Sequence, residues 1–279
     1  MKKSNWILGA LLALTIVVLA GCGKAEDVAS DSKDQKGNET KEVTLKISAS
    51  STPHAEILEF IAPKLEQEGV KLDVTITQDS IQTNQLTAEK ELDANFFQHT
   101  PYLDQWNKDS KQNLVSVTGV HIEPFGVYSK KIKNIKDLSI GAKISVPKDP
   151  VNFSRALQLF AANGIIDLKD SKSDYTVEDI TKNDKKLEFI PVEGAVLVRS
   201  LDDVEASAIN TNYALEGGFQ PLKDALIIEG KDSPYVNILV ASPDNKGDES
   251  IQKLANALTT PEVKQFIEET YEGAVASAF

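Results

Sequence analysis

One stretch in the first half of the chain has the composition of a small-molecule site. Residues 93–103 read Asp-Ala-Asn-Phe-Phe-Gln-His-Thr-Pro-Tyr-Leu, in a chain whose aromatic fraction is only 6%. Phe97 and Tyr102 could supply apolar walls and His99 could supply hydrogen bonds, which is the combination that a ligand pocket needs. A plainer interpretation makes Phe96 and Phe97 core residues at a strand end, with His99 a satisfied polar group. Periodicity alone favours the plainer interpretation.

A second group of candidates could bind a charged head group. Arg155 stands near a predicted helix N-terminus, after a predicted loop that ends at Asn152, and a guanidinium there can grip a carboxylate with two parallel hydrogen bonds. A surface or interlobe salt bridge is an equally good interpretation. Asn210 ends a predicted strand, at the edge where parallel sheets bind ligands, although helix capping by Asn210 or Thr211 would also explain it. Asn237 lies in a later strand, where a turn or bulge is the alternative.

Enzymatic, metal-binding and nucleic-acid-binding functions find little support. The three histidines, His54, His99 and His121, form no HxxH or HxxxH pair, so we predict no metal site. Gly-x-Ser-x-Gly, GxGxxG and P-loop patterns are missing, so we expect neither an enzyme nor a cofactor. The net charge is −12 and no basic stripe interrupts it, which argues against a nucleic-acid partner.

The N-terminus has the features of a bacterial lipoprotein leader. Lys2 and Lys3 precede an apolar segment, 6–20, that is short for a membrane span and ends in Leu-Ala-Gly-Cys. We therefore predict a signal peptide over 1–21 and lipidation of Cys22, the only cysteine. An ordinary signal peptide and an uncleaved anchor helix are the alternatives. The polar, mixed-charge residues that follow Cys22 predict a disordered tether to residue 42.

The remaining chain has the alternation of an α/β protein with two lobes. A strand–helix–strand unit over 43–76 implies a parallel pair, with Pro63 expected to kink or break its helix. A short helix is predicted over 87–92, and a longer one over 153–163. Thr100 is expected to cap the helix after the aromatic stretch.

The order of elements predicts where the lobes begin and end. We predict a first lobe over 43–128, a second lobe over 129–234 and a return to the first lobe over 235–279. Two crossings between lobes make a hinge, and the cleft between the lobes is the usual ligand site. A lipid-tethered, two-lobed α/β protein without a catalytic motif suggests a solute receptor.

Six runs of sequence, taken together, resemble the NlpA/MetQ family of methionine-binding lipoproteins, the substrate-binding subunits of methionine ABC importers. The runs follow the family's order and span essentially the whole of the predicted mature domain. They are Thr-Pro-His-Ala-Glu-Ile-Leu (52–58), Asp-Ala-Asn-Phe-Phe-Gln-His-Thr-Pro-Tyr-Leu (93–103), Glu-Pro-Phe-Gly-Val-Tyr-Ser-Lys-Lys (123–131), Val-Pro-Lys-Asp-Pro-Val-Asn-Phe-Ser-Arg-Ala-Leu (146–157), Ala-Ile-Asn-Thr-Asn-Tyr-Ala (208–214) and Ser-Pro-Tyr-Val-Asn (233–237).

The resemblance implies a two-lobed periplasmic-binding-protein fold (type 2-like) with the ligand in the interlobe cleft. It implies that Phe97 and nearby aromatics such as Tyr102 wall a thioether side chain, because sulfur packs well against rings. It also makes Phe97 and His99 pocket residues and leaves Phe96 in the core. Head-group roles fall to His99, Arg155 with Asn152 beside it, Asn210 and Asn237.

One departure from the family pattern concerns the ligand. Ser80 stands where the family usually has a pocket-lining Tyr, and Thr83 stands at a usual Pro, whereas Asn84 is retained. The pocket is therefore expected to be larger or more polar, so that a methionine-containing dipeptide or another amino acid is an alternative to methionine or a close derivative. A surface-anchored, adhesin-like interaction module without a small ligand is the alternative from another class.

The resemblance also sets expectations about partners and location. The implied partners are an ABC transporter permease and its ATPase, with a monomeric receptor held to the membrane by its N-terminal lipid. The expected location is the extracytoplasmic face of the cell membrane. The long polar tether and the lysine-rich composition favour a Gram-positive surface.

Overall fold

A computed structural model describes residues 42–77, 79–170, 172–230 and 232–279. The predicted signal peptide, Cys22 and the predicted tether up to residue 41 lie outside the described residues. Within the described part, no helix combines the length and the apolar character that a membrane crossing requires.

Strands and helices alternate along the described chain. The strands are β1 (Val43–Ala49), β2 (Val70–Ile76), β3 (Ala94–His99), β4 (Val115–Ile122), β5 (Gly126–Tyr128), β6 (Lys143–Pro147), β7 (Asp167–Leu168), β8 (Ile180–Lys182), β9 (Glu188–Val192), β10 (Ala206–Ile209), β11 (Ile227–Ile228), β12 (Val236–Ala241) and β13 (Ala276–Ser277). The helices are α1 (Glu56–Gln67), α2 (Ser80–Ala88), α3 (Thr100–Ser110), α4 (Pro150–Ala162), α5 (Leu197–Ser200), α6 (Thr211–Glu216), α7 (Pro221–Asp224), α8 (Glu249–Leu258) and α9 (Pro261–Tyr271).

Shorter helical turns complete the path. A π-helical turn precedes α1, and 3₁₀ turns stand before β6, β8 and α5. Their bounds are Ser51–Ala55, Ile135–Asp137, Val177–Asp179 and Gly194–Val196.

The first lobe is built on a six-stranded sheet in the order β13-β4-β12-β3-β1-β2. The strand–helix–strand prediction holds, since β1 and β2 pair in parallel through α1. Leu45, Ile47 and Ala49 of β1 are buried in a core that α1, α8 and α9 cover. A smaller cluster around Leu103 and Trp106 covers the other face. Both chain ends of the predicted mature domain thus contribute to one lobe.

The second lobe is built on a five-stranded sheet in the order β11-β5-β10-β6-β9. Its core packs the apolar side of α4, including Leu157 and Phe160, against β6 and β10. The strand β5 belongs to this sheet, pairing with β10 and β11. The first crossing between lobes therefore lies at residues 123–125, a few residues before the predicted boundary at 128. The second crossing lies between β11 and β12.

The two crossings continue into neighbouring strands. In the first lobe, β4 and β12 are antiparallel, with His121 opposite Asn237 and Ile122 opposite Val236. The last strand, β13, pairs with the same end of β4, at Ile122 and His121. The two crossings therefore join the first lobe at adjacent, paired strands.

Several predicted helix boundaries are wrong. The break that was one of the two expectations at Pro63 does not occur, because α1 continues through that residue. The helix α4 begins at Pro150, so Asn152 lies in its first turn and not in a loop. His99, and not Thr100, caps α3, because its Nδ1 accepts from the Tyr102 N–H.

The helix predicted over 87–92 is also wrong, since α2 covers Ser80–Ala88 and is capped by Asp79. Its buried face is polar, consisting of Thr83, Asn84 and Thr87. A helix whose buried side carries no apolar residues gives no apolar period of 3.6, so periodicity could not locate it.

Candidate functional site

A cleft of about 750 Å³ lies between the lobes and brings every predicted ligand residue to one place. Parts of both lobes and the first crossing line it. The predicted residues are Ser80, Phe97, His99, Tyr102, Asn152, Arg155, Asn210 and Asn237. The fold places them there because β3, β6 and β10 all end at the cleft.

The first lobe supplies the aromatic wall. Phe96 is fully buried in the core, whereas Phe97 points the other way along β3 and lines the cleft. The rings of Phe97 and Tyr102 meet edge to face, with centroids 6.2 Å apart. Burial raises the pKa of the Tyr102 phenol, with the Asp149 charge as a second cause. Ser80 lines the same cleft as Tyr102.

A buried amide network attaches α2 to β3 behind this wall. Asn84 Oδ1 accepts from Gln98 Nε2 at 2.6 Å and from Asn95 Nδ2 at 3.1 Å, and Asn84 Nδ2 donates to Gln98 Oε1 at 3.0 Å. Asn95 also donates to Thr87 Oγ1 at 2.8 Å. Because all four side chains are nearly inaccessible, the network fixes where α2 presents Ser80 to the cleft.

His99 and Asn152 connect the lobes across the cleft. His99 Nδ1 accepts from the Tyr102 N–H, so Nε2 carries the proton and donates to Asn152 Oδ1 at 3.0 Å. Asn152 Nδ2 donates in turn to the Asp149 carboxylate at 3.1 Å. Burial, with the Arg155 charge as a second cause, lowers the pKa of His99 to about 3. His99 is therefore a neutral residue with both ring nitrogens engaged.

Arg155 is held by a partner that the sequence did not indicate. Its Nε and Nη2 donate to the Glu229 carboxylate at 2.8 and 2.6 Å, and Nη2 also donates to the Glu123 carbonyl at 2.9 Å. The guanidinium carbon lies 4.0 Å from the Tyr235 ring centroid and 5.1 Å from that of Phe125. Arg155 therefore cannot make the predicted two parallel hydrogen bonds to a ligand with Nε and Nη2, because Glu229 occupies that edge of the guanidinium.

The structural alternative fails for Asn210 and holds for Asn237, which lies at a bulge and also lines the cleft. Asn210 is at the N-cap position of α6, yet its side chain makes no capping bond and donates to Asn152 Oδ1 at 3.2 Å. Asn237 lies next to a register shift in β12, and its Oδ1 accepts from His54 Nε2 at 3.1 Å. Among the described residues, Asn210 Oδ1 and Asn237 Nδ2 have no hydrogen-bond partner in the protein.

Glu123 on the first crossing is a buried carboxylate at the floor of the cleft. His121 Nε2 donates to its Oε1 at 2.8 Å, and the Asn212 N–H donates to its Oε2 at 3.0 Å. His54 Nε2 lies 3.5 Å from Oε1. Burial raises the pKa of Glu123 and lowers the pKa values of His54 and His121 to about 4 and about 3.

The ligand atoms of His54, His121 and Glu123 lie within 4.8 Å of one another. These are residue types that zinc accepts, and the spacing in sequence gave no indication that they would meet. In the structure, however, the facing atoms already hydrogen bond to one another and to Asn237. The Nε2 atoms of the two histidines are therefore engaged, whereas the Nδ1 atoms of His54 and His121 are buried without a hydrogen-bond partner among the described residues.

The sequence did not indicate Glu123 and Tyr213, which line the cleft, or Glu229, which lies outside it and binds Arg155. Tyr213 lines the cleft from α6, and burial raises the pKa of its phenol to about 12. Gly194 leaves room for it, since a Cβ there would lie 2.6 Å from the Tyr213 ring. Glu123 and Tyr213 fall within the runs quoted for the resemblance, and Glu229 follows a predicted strand, but no local pattern distinguishes them from surface residues.

Comparison with known proteins now identifies the family. The model of the NlpA lipoprotein family matches residues 45–279. The chain belongs to the NlpA lipoprotein family. A curated NlpA relative, the methionine-binding lipoprotein MetQ of Bacillus subtilis, is 38% identical over 99% of this chain and 98% of its own length.

Solved structures of NlpA relatives have the same fold. A nutrient binding protein of Burkholderia cenocepacia, solved bound to methionine, has a TM-score of 0.81 and 40% identity over 84% of this chain and 100% of its own. A lipoprotein of Ruminococcus gnavus has a TM-score of 0.82 and 43% identity over 85% of this chain and 99% of its own. The predicted family and the two-lobed α/β fold are therefore confirmed. The matched family is one of substrate-binding transport lipoproteins and is not an enzyme family.

Proposed function

We propose that this protein is a lipid-anchored receptor that captures methionine or a close methionine derivative and delivers it to an ABC importer. The observation that carries the proposal is the composition of the cleft, which offers unpaired polar groups of both kinds beside an aromatic wall. Relatives that are named as methionine-binding, and one solved bound to methionine, support the choice of ligand.

The carboxylate of the ligand would be bound at the hinge end of the cleft. Arg155 Nη1 and Asn237 Nδ2 are the donors that the protein leaves unused there, because Glu229 and His54 occupy the opposite sides of the two groups. A charged carboxylate needs such donors once water is excluded.

The ammonium group of the ligand would be bound by acceptors nearby. Glu123 supplies a carboxylate on the cleft floor, and Asn210 Oδ1 supplies a neutral oxygen. An arriving ammonium would favour the ionised form of Glu123, offsetting the burial that raises its pKa. The thioether would then lie against Phe97 and Tyr102, where sulfur–ring contacts are favourable.

A methionine-containing dipeptide is the second candidate, favoured by the size of the cleft beside Ser80. The volume of about 750 Å³ lies within the range of pockets that hold drug-sized ligands. The small Ser80 side chain leaves this side of the wall to Tyr102 and Ile81.

Calorimetry of the unfolded and refolded mature domain would test both candidates, because refolding removes ligand carried over from expression. The titrants are L-methionine, D-methionine, methionine dipeptides and a panel of other amino acids. We expect the tightest binding with methionine. Tighter binding of a dipeptide would select the second candidate. Failure of every titrant would refute the receptor function, and binding to a macromolecule alone would favour the interaction module.

The location and the partners rest on the leader sequence and the family. We infer that Cys22 carries the lipid and anchors a monomer to the extracytoplasmic face of the membrane, on a Gram-positive surface. The receptor would deliver its ligand to a permease–ATPase pair. Mass spectrometry of the membrane-extracted protein should find acylation at Cys22, and a Cys22→Ala variant should leave the membrane fraction.

A further inference from the structure

We propose that Glu229, which does not itself line the cleft, is the positioning residue that turns Arg155 end-on to the ligand. The inference rests on the proposed function, since it concerns how the ligand carboxylate is bound. It assigns a role to a residue outside the cleft and specifies which nitrogen of Arg155 meets the ligand.

The first step is the occupation of the guanidinium. Nε and Nη2 form one edge of the planar group, and both donate to Glu229, at 2.8 and 2.6 Å. The second hydrogen of Nη2 goes to the Glu123 carbonyl. Among the described residues only Nη1 is left without a protein partner, and Arg155 lines the cleft. A ligand carboxylate can therefore approach only the Nη1 end.

The second step is that Glu229 is itself fixed. Its Oε2 accepts from the Phe125 N–H at 3.1 Å and from Ser233 Oγ at 3.2 Å. Phe125 lies on the first crossing and Ser233 on the second. The carboxylate that orients Arg155 is therefore attached to both strands of the hinge, and Arg155 itself touches the first crossing through the Glu123 carbonyl.

The third step is that, among the described residues, only one other bond acts in the plane of the guanidinium, the single bond from Nη2 to the Glu123 carbonyl. Tyr235 and Phe125 lie against Arg155 at 4.0 and 5.1 Å from the ring centroids, and contacts with ring faces restrain tilt more than rotation within the plane. Glu229 supplies the two parallel bonds that define rotation. Without them, the single bond to the Glu123 carbonyl would let the guanidinium pivot about Nη2, so that Nη1 would have no fixed direction towards the cleft.

Glu229→Gln is the decisive variant, because it keeps shape and removes the charge and one acceptor. Phe125 N–H and Ser233 Oγ require an oxygen at the Oε2 position, so the amide nitrogen faces the Arg155 Nε–H and repels it. The readout is the ratio of dissociation constants for methioninamide and methionine, which isolates the contribution of the carboxylate. We expect the ratio to fall by at least about fivefold.

Two further variants complete the experiment. In an Arg155→Ala background the Glu229→Gln change should leave the ratio unaltered, because the residue on which it acts is gone. Ser233→Ala removes one bond to Glu229 and should lower the ratio in the same direction by a smaller factor. If circular dichroism shows that Glu229→Gln does not fold, the ratio measured for Ser233→Ala decides whether Glu229 orients Arg155. Glu249→Gln, in an exposed pair with Lys253, is the matched control and should change nothing.

The outcomes separate this inference from the function on which it rests. Equal weakening of both ligands by Glu229→Gln would indicate a merely structural role and overturn the inference. A rise in the ratio would overturn it too, since Glu229 would then act as a competing charge. If the unaltered protein binds neither compound, the proposed function fails and this inference fails with it. Equal binding of both compounds by the unaltered protein would overturn this inference alone. A wild-type preference that Arg155→Ala abolishes and Glu229→Gln leaves intact refutes the inference alone.

Discussion

The two walls of the cleft are held in place by different kinds of interaction. On the side of the first lobe, neutral amides and rings position the aromatic wall, through Asn84, Asn95 and Gln98 behind Phe97. On the side of the second lobe, a buried ion pair between Arg155 and Glu229 positions the charged end. The first arrangement sets shape and the second sets charge, so changes in the two walls should alter binding in different ways.

Removing Arg155 should have the largest effect. Arg155→Ala leaves the ligand carboxylate without its cation, so we expect a loss of about 2 kcal/mol or more, which is at least roughly 25-fold in affinity. Calorimetry with methionine provides the measurement. Methioninamide should bind nearly as well to the variant as to the parent. A uniform loss for both compounds would show that the second wall does not work through charge.

The pH dependence of stability should be altered by a change at His99 on the opposite wall. Its pKa is lowered in the folded state to about 3 from 6.5, so between these values the unfolded chain binds a proton that the folded chain does not. Stability is fully present above pH 6.5 and is lost as the pH falls towards 3.

His99→Asn keeps a helix-capping residue and removes this contribution. The slope of the unfolding free energy between about pH 4 and 6 should fall by roughly 1.4 kcal/mol per pH unit. Urea denaturation at several pH values gives the slope. Equal slopes in the variant and the parent would mean that His99 titrates normally in the fold.

Shortening Phe97 should weaken binding through shape alone. Phe97→Ala removes part of a half-buried ring, so we expect about 1–1.5 kcal/mol, or roughly tenfold, for methionine. Alanine or another small amino acid should lose much less, because it does not reach the ring. Unchanged methionine affinity would remove Phe97 from the site. If the loss of affinity caused by Phe97→Ala also depended on the ligand carboxylate, the aromatic wall and the charged wall would not act independently.

Enlarging Ser80 should have the smallest effect on the affinity for methionine, and it should change the affinity for longer ligands in the opposite direction. Ser80→Tyr adds a ring beside Tyr102, so methionine affinity should rise by about 0.5 kcal/mol, roughly twofold. A methionine dipeptide should bind less well, because the space beside Ser80 is filled. Ser80→Ala is the control and should change neither. Competition binding measures both ligands together, and a weaker affinity for methionine would contradict the assignment of this wall.

The sequence predicted well whatever depends on alternation and on local runs. The opposite facing of Phe96 and Phe97 along β3 follows from the two-residue period of a strand, and the structure has it. The helix α2 could not be found in this way, since Thr83, Asn84 and Thr87 replace apolar residues on its buried face. The buried face of α2 makes hydrogen bonds to β3, and only the tertiary fold brings these partners together.

Sequence patterns also could not identify residues whose roles depend on partners far away in the chain. Arg155 and Glu229 are 74 positions apart, and His54 and Asn237 are 183 apart. No periodic pattern connects such positions. Sequence analysis could therefore identify Arg155 as a carboxylate-binding candidate, but not that Glu229 already holds the edge with which two parallel bonds would be made.

The pairing of β13 with β4 has a consequence for how the protein can be handled. Ser277 lies opposite His121, so β13 is attached to β4 beside the first crossing. His121 itself touches Glu123. A fluorescent reporter fused after Phe279 would sit close to the axis about which the lobes turn. A reporter at this position would move little when the cleft opens, and its bulk would hinder movement of the two crossings. A label on α4 or α2, away from the axis, is therefore the better reporter of closure.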